Sequence, residues 1–188
     1  MKISNATFIA EQEEKVMQIL HKIKELKGLG KDVLRKKPDR DSWSVLECLE
    51  HLNRYSQFYL AEFKRQASKA ANRKNADFTP GWLGSKSADY MLPKNGSVAN
   101  KMKTFKSKNP ALDQSVNPSA LEQFHKDQKE LLALMEELKK SNLNTYAKTT
   151  LPILKFKLGD ALAFYINHEL RHMVQIERTL SAVSETAV

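Results

Sequence analysis

Four stretches of the sequence carry apolar residues at helical spacing, and this periodicity limits the fold more than any other feature. The stretches cover approximately residues 7–26, 44–71, 117–138 and 160–181, and each pairs an apolar face with a polar one. Strand-like alternation is almost absent. The pattern predicts an all-α protein, a four-helix bundle in which each helix buries its apolar stripe against the others.

Capping residues mark the starts of two of these helices. Ser44 can cap the second helix, and Glu47, three residues later, can complete a capping box. Asn117 can cap the third helix, with Pro118 in its first turn, where the missing N–H costs nothing. The second and third helices are therefore separated by a long connection, residues 73–116.

This connection is interrupted by prolines and is strongly basic. Pro80, Pro93 and Pro110 break it up, and its apolar residues predict a crossover that lies across the bundle, with a short helix around residues 98–105. Residues 64–108 hold eleven Lys and Arg against two Asp, which accounts for the whole formal net charge of +9. Such a run is more often a solvated helix end and loop than a phosphate-binding surface. We therefore do not expect nucleic acid as a partner.

Length and cysteine content predict a single cytoplasmic domain. A chain of 188 residues can bury one well-filled core, so we expect one domain over residues 1–188. The sequence has no run of about 18 uncharged apolar residues, and its N-terminus turns acidic where a signal peptide is apolar, so we expect no membrane partner. Cys48 is the one cysteine, which excludes an intramolecular disulfide and fits a reducing compartment.

Two histidines four residues apart on the last helix suggest a metal site. At about 100° per residue, His172 lies about 40° round from His168 and one turn further along. Tyr165 and Gln175 fall within about 60° of His168, which places the pair toward the apolar side of the helix. Neutral imidazole is a good ligand for Zn, Ni, Cu or Fe, so an inward pair at this spacing is a suitable two-point chelate.

A histidine on the second helix can complete a triad. His51 shares a helix face with Cys48 and Tyr55, and it can meet His168 and His172 from across the bundle. The alternative is three partly buried histidines, each hydrogen-bonded to its own neighbours. A polar side chain on a core stripe costs a few kcal/mol unless a partner satisfies it, and one metal ion would satisfy all three imidazoles at once.

Structural roles explain the other residues with reactive side chains better than metal binding or catalysis does. His21 lies on a mostly polar flank, and His125 lies near the core edge of the third helix, where it is a reserve ligand. Cys48 is either a buried small hydrophobe, the commoner role, or a fourth ligand or reactive thiol. Glu47 is explained by the capping box, and Glu169 lies about 100° off the histidine stripe. The sequence therefore assigns no catalytic base.

Two segments together resemble the DinB and YfiT superfamily of metal-binding four-helix bundles. They are WSVLECLEHLNRY, where a tryptophan-led cap precedes His51, and HELRHMVQIERTL near the C-terminus. The resemblance spans most of the chain and includes the long connection between the second and third helices. Members of this superfamily bind a divalent metal through one histidine on the second helix and an HxxxH pair on the last. The resemblance therefore implies that His51, His168 and His172 are the ligands.

The resemblance also implies several activities. Relatives include thiol S-transferases and isomerases that use a low-molecular-weight thiol such as bacillithiol, and others are described as metal-dependent hydrolases. Three histidines leave coordination positions open, as catalytic sites do. We therefore expect an enzyme that uses Zn, Ni or Fe on a small-molecule substrate. Four further residues are expected to support the ligands or line a substrate pocket: Gln175, Cys48, Tyr55 and Tyr165. The alternative is a bundle that binds metal or a small ligand without turnover and acts as a homodimer.

Overall fold

Long helices dominate the computed structural model, which describes residues 1–70, 77–94, 96, 98, 102–112, 116–151 and 153–185. Within these residues the helices are α1 Asn5–Lys27, α2 Lys31–Arg35, α3 Val45–Ala70, α4 Trp82–Met91, α5 Ala120–Leu138 and α6 Leu158–Glu185. The strands are β1 Ile3–Ser4, β2 Asp77–Phe78, β3 Tyr146–Lys148 and β4 Lys155–Lys157. β1 pairs antiparallel with β2, and β3 with β4. The all-α prediction is confirmed, and the four short strands are additions to it.

The four long helices pack against one another through their apolar stripes. α1 and α3 each contact both α5 and α6. The buried apolar residues of these helices join in one continuous cluster, in which Tyr59, Phe63, Phe124 and Tyr165 are among the largest side chains. None of the helices in the described part of the chain combines the length and apolarity needed to cross a membrane.

The start of α3 follows the predicted capping box. The backbone N–H of Ser44 donates to Glu47 Oε2 at 2.8 Å, and the N–H of Glu47 donates to Ser44 Oγ at 3.2 Å. The start of α5 is later than predicted. Asn117 Oδ1 accepts from the N–H of Ser119 at 2.9 Å, but the residues between Asn117 and Ala120 form a tighter turn before the α-helix begins.

α6 is buried on nearly every side. It contacts α1 and α3 and also α4, which comes from the connection between α3 and α5. Its buried residues therefore include polar side chains on several faces of the helix: Asp160, Asn167, His168, Glu169, Arg171, His172 and Thr179. Because buried polar groups require hydrogen-bond partners, α6 depends on the side chains and backbone of its neighbours.

The helix in the connection lies at α4, before the position that the sequence predicted. Val98 and residues 102–105 are not helical, and residues 99–101 lie outside the described residues. α4 forms where it can pack on α6, with Ala88 and Met91 buried. Gly84 permits this close approach, because a Cβ at that position would lie 2.6 Å from Asp160 Cβ. Tertiary packing on α6 therefore decides where this helix forms.

Asp160 joins the start of α4 to α6. Its Oδ2 accepts a hydrogen bond from the backbone N–H of Gly81 at 2.8 Å, and its side chain is buried. Burial raises the pKa of Asp160 to about 6, and the carboxylate of Asp89 acts in the same direction, against the opposing effects of the Gly81 hydrogen bond and the Lys157 ammonium. The carboxyl group is therefore harder to ionise in the folded protein than in the unfolded chain.

The raised pKa makes the effect of replacing Asp160 depend on pH. In the unfolded chain an aspartate ionises near pH 3.9. The wild type therefore loses stability as the pH rises from about 4 through the folded pKa of about 6, and the loss is complete above it. Asp160→Asn keeps an oxygen acceptor for Gly81 but cannot ionise. We expect the free energy of unfolding of this variant, relative to wild type, to increase across that interval in urea titrations. A difference that stays constant from about pH 4 to 7 would contradict this account.

Candidate metal centre

Three histidines from two helices converge at one point. His51 lies on α3, and His168 and His172 lie one turn apart on α6. The Nε2 atom of His168 lies 3.5 Å from that of His51 and 3.2 Å from that of His172. One ring nitrogen from each histidine falls within 4.8 Å of the other two, so the group can hold a metal ion.

Two aromatic rings flank the three histidines. Trp43, just before α3, has its ring centroid 4.9 Å from that of His51 and 6.2 Å from that of His172. Tyr55, one turn after His51, has its ring centroid 4.9 Å from that of His51 and 4.6 Å from that of His168. The histidine side chains are accordingly shielded, with exposed fractions of 2% for His51, 8% for His168 and 9% for His172.

Hydrogen bonds fix the tautomers of two of the rings. The Nδ1 atom of His51 lies 2.7 Å from the backbone carbonyl oxygen of Lys108, and that of His172 lies 2.9 Å from the side-chain oxygen Oε1 of Gln175. A backbone carbonyl oxygen can only accept, so Nδ1 of His51 carries the proton, and the orientation of the Gln175 amide gives His172 the same tautomer. The Nε2 atoms of His51 and His172 therefore present lone pairs toward His168.

Burial keeps all three rings neutral. It lowers the pKa of His51 to about 4, and the positive charges of Lys108 and Arg54 act in the same direction. Burial also lowers the pKa values of His168 and His172 well below the usual range for histidine, and the neighbouring histidines contribute to this shift. Neutral imidazole is the form that coordinates metals, so the rings do not have to lose a proton at neutral pH.

The three rings cannot satisfy one another by hydrogen bonding alone. If His168 carries its proton on Nε2, it can donate fully to only one of the two lone pairs that face it. If the proton is on Nδ1, none of the three Nε2 atoms has a donor, and Nδ1 of His168 is buried without a hydrogen-bond partner among the described residues. A divalent cation between the rings would accept all three lone pairs. The donor set therefore fits a metal.

The sequence profile of the DinB superfamily matches residues 18–176. The chain belongs to the DinB superfamily. The matched range contains α3, the connection, α5 and the part of α6 that carries His168 and His172. Searches of curated proteins and of solved structures find no match to the chain. Membership in the superfamily therefore comes from the family profile, and the geometry of the three histidines comes from the structure.

Among the other expected site residues, Gln175 and Tyr55 touch the histidines, as described above. Tyr165 turns elsewhere: its hydroxyl lies 2.8 Å from Ser56 Oγ, its ring stacks on Tyr59, and none of its described hydrogen bonds or ring contacts involves a histidine. The expectation that Tyr165 lines the site is therefore not supported by these contacts. Its neighbours instead place it in a polar network in the core.

Cys48 lies one turn before His51, but it is not a member of the histidine cluster. Its side chain is completely buried, and burial raises the pKa of its thiol. A neutral buried thiol is a poor nucleophile and a poor ligand, because both roles require the thiolate. Packing is therefore the role that the structure supports.

His21 and His125 lie away from the three histidines. His21 is exposed and pairs with Glu25, with 3.3 Å between Nε2 and Oε1. His125 Nδ1 lies 2.8 Å from the ammonium of Lys27. Neither residue joins the cluster, so His125 is not needed as a reserve ligand in this geometry.

Two features of the site have no clear signal in the sequence. The hydrogen-bond acceptor for His51 is the backbone carbonyl of Lys108 in the connection. A backbone group cannot be recognised from the residue types in the sequence. Glu169 was expected about 100° off the histidine stripe, and its side chain is fully buried and accepts from Gln128 Nε2 at 2.7 Å. Burial raises the pKa of Glu169 to about 8. A helix buried on one face would leave this residue in solvent, but α6 is covered on several.

The burial of Cys48 predicts the outcome of removing its thiol. Cys48→Ala should bind zinc with the affinity of the wild type and lose about 1 kcal/mol of folding free energy through lost packing. Zinc affinity can be measured by competition with a chromophoric chelator, and stability by urea unfolding. Loss of zinc binding in a folded variant would show that the thiol is a ligand.

Proposed function

We propose that this DinB-superfamily protein is a metal-dependent enzyme of the thiol S-transferase type. The observation that carries the proposal is the convergence of three neutral imidazoles, two of which have tautomers that direct their Nε2 lone pairs toward the third. His51, His168 and His172 would hold the ion. Zn, Ni and Fe all suit imidazole ligands. The four long helices, with a connection between α3 and α5 that packs on α6, support the bundle with a crossover that the sequence predicts.

The choice between thiol transfer and hydrolysis depends on the acidic residues near the site. When bound by three imidazoles, a divalent metal has open coordination positions and lowers the pKa of a thiol or a water placed there. Hydrolysis also benefits from a carboxylate that removes protons. In the part of the chain that the structure describes, no carboxylate joins the histidine cluster.

The two acidic residues considered as bases from the sequence, Glu47 and Glu169, are both engaged elsewhere, and Glu50, next to His51, pairs with Arg54. Glu47 accepts from the backbone of Ser44 and pairs with Lys37 at 2.7 Å. Glu169 accepts from Gln128. A free thiol ionises near pH 8.5, far more easily than water, so it needs no such base. This difference favours thiol transfer over the hydrolase alternative.

The surroundings of the histidines would select a small substrate with a flat or anionic part. Trp43 and Tyr55 offer aromatic faces beside the rings. The ammonium of Lys108 lies 5.4 Å from the centre of the Tyr55 ring, and its charge acts on His51. A cytoplasmic location, where low-molecular-weight thiols are kept reduced, is part of this proposal.

Binding without turnover is a second candidate. The observation that favours it is the low exposure of the three histidines, none above 9%, which leaves little surface for a substrate. In that case the protein would bind metal or a small ligand and act as a homodimer. The two candidates differ in one measurement, since only the enzyme consumes a thiol and an electrophilic acceptor in the presence of metal.

Replacing a proposed ligand should remove the metal without unfolding the protein. We expect His168→Ala and His172→Ala each to weaken zinc binding by more than the roughly 100-fold that loss of a supporting hydrogen bond can cost. The helical circular dichroism should persist, because bound metal adds only about 2.7 kcal/mol at a free concentration one hundred times its dissociation constant. His21→Ala is the matched control, since His21 is exposed and outside the cluster.

Elemental analysis of protein purified without a metal-affinity column measures the native metal. A screen of thiols against electrophilic acceptors, with metal-loaded and chelated protein, then tests the activity. Stoichiometric metal in both histidine variants would overturn the ligand assignment. Full metal occupancy with no thiol consumption would favour the non-catalytic candidate.

A further inference from the structure

The end of the long connection is seated on α3 beside the metal centre. We call residues 105–112 the strap; they contain two short 3-10 turns, Lys106–Lys108 and Pro110–Leu112, and both turns contact α3. Pro110 is buried in this contact. The strap is therefore packed against the helix that supplies His51.

Three polar contacts join the strap to one turn of α3. The Nδ1–H of His51 donates to the carbonyl oxygen of Lys108 at 2.7 Å. The guanidinium of Arg54 donates through Nη1 to the carbonyl oxygen of Asn109 at 3.3 Å. In the reverse direction, the ammonium of Lys108 donates to the carbonyl oxygen of Arg54. Neighbouring carbonyls of the strap are thus held by residues three apart on α3.

Arg54 is itself held in place for this contact. Its Nε donates to Glu50 Oε1 at 3.3 Å, one turn earlier on the same helix, and its side chain is only 14% exposed. The guanidinium therefore cannot swing freely into solvent. Because Asn109 directly follows Lys108, fixing the carbonyl of Asn109 also restricts where the carbonyl of Lys108 can lie.

The position of that carbonyl matters for His51. An acceptor at Nδ1 keeps the proton there, orients the ring and leaves the lone pair on Nε2, which faces the other two histidines. Without the acceptor, the ring can rotate or take the other tautomer, whose Nε2 carries a proton and cannot bind a metal.

We infer that Arg54 is a positioning residue for the metal centre: it holds the strap so that the Lys108 carbonyl orients His51, and strap seating and metal binding stabilise each other. The inference rests on the proposed function, because it requires that the three histidines bind metal. Arg54 acts through the strap and need not touch the metal. Coupling between two binding events is reciprocal, so an ion that favours the seated strap must also be bound more tightly when the strap is seated.

The first test compares two arginines on the same helix. Arg54→Gln removes the long guanidinium, and Arg65→Gln is the matched control, because Arg65 pairs with Glu62 on α3 and its described bonds do not reach the strap. We expect the zinc dissociation constant of Arg54→Gln to rise by about 10- to 100-fold, as for other groups that orient a ligand. Arg65→Gln should bind zinc like the wild type, and Arg54→Lys should recover part of the affinity.

The second readout is the seating of the strap itself. Trypsin cleaves after Lys106 and Lys108, and we expect saturating zinc to slow these cleavages in the wild type. The protection should be weaker in Arg54→Gln, while circular dichroism shows the same helix content. A merely structural arginine would change stability without changing how cleavage responds to zinc. If Arg54→Gln does not fold, Lys108→Met weakens the seating of the strap through a different bond, the one from the ammonium to the backbone carbonyl of Arg54, and the zinc dissociation constant and cleavage after Lys106 remain as readouts.

The outcomes separate this inference from the proposed function. Zinc binding by the wild type, with an unchanged dissociation constant in folded Arg54→Gln, would overturn the inference alone. Cleavage after Lys106 and Lys108 that ignores zinc in the wild type would do the same. A wild type that binds no zinc, nickel or iron would overturn both.

Discussion

The burial of α6 on several faces is the constraint on which the rest of the structure depends. Where α6 is covered, its polar side chains cannot reach water, and most of them find partners on neighbouring elements. Asn167 bonds Lys15 of α1 and the backbone of Ala88 in α4, and Glu169 accepts from Gln128 of α5. His168 and His172 face α3, where the ring that meets them is His51. The histidine cluster is one case of a requirement that applies to the buried polar side chains of this helix.

The parts of this arrangement that the sequence predicts are those that depend on local spacing. The capping box of Ser44 and Glu47 and the shared face of His168 and His172 follow from residues three and four apart. Periodicity predicted neither the position of α4 in the connection nor the burial of Glu169, and the two failures have a common cause. Both depend on contacts between segments far apart in the chain, such as the approach of Gly84 to Asp160, which periodicity within one helix does not contain. The role of the Lys108 carbonyl cannot be predicted from the sequence either, because every residue type carries a backbone carbonyl.

Individual basic residues between 64 and 108 have structural partners. Lys64 pairs with Glu130, Arg65 with Glu62, and the ammonium of Lys86 lies 4.5 Å from the centre of the Trp82 ring. Lys108 bonds the backbone of α3. Four of the eleven basic residues in this segment therefore contact α3, α4 or α5, and one of them, Lys108, also reaches His51 through its backbone carbonyl.

The division of the three histidines between two helices makes the centre sensitive to the register of α3 against α6. His51 and His168 are 117 positions apart in the chain, and only the packing of these two helices aligns them. Moving one helix along the other by a single residue displaces its side chains by about 1.5 Å. Imidazole nitrogens bind zinc within a narrow range near 2.0 to 2.1 Å. A substitution in the α3–α6 interface that leaves the fold intact can therefore still misalign the histidines. Metal affinity would then detect a shift of one helix along the other by less than one residue, which circular dichroism or urea unfolding would not detect.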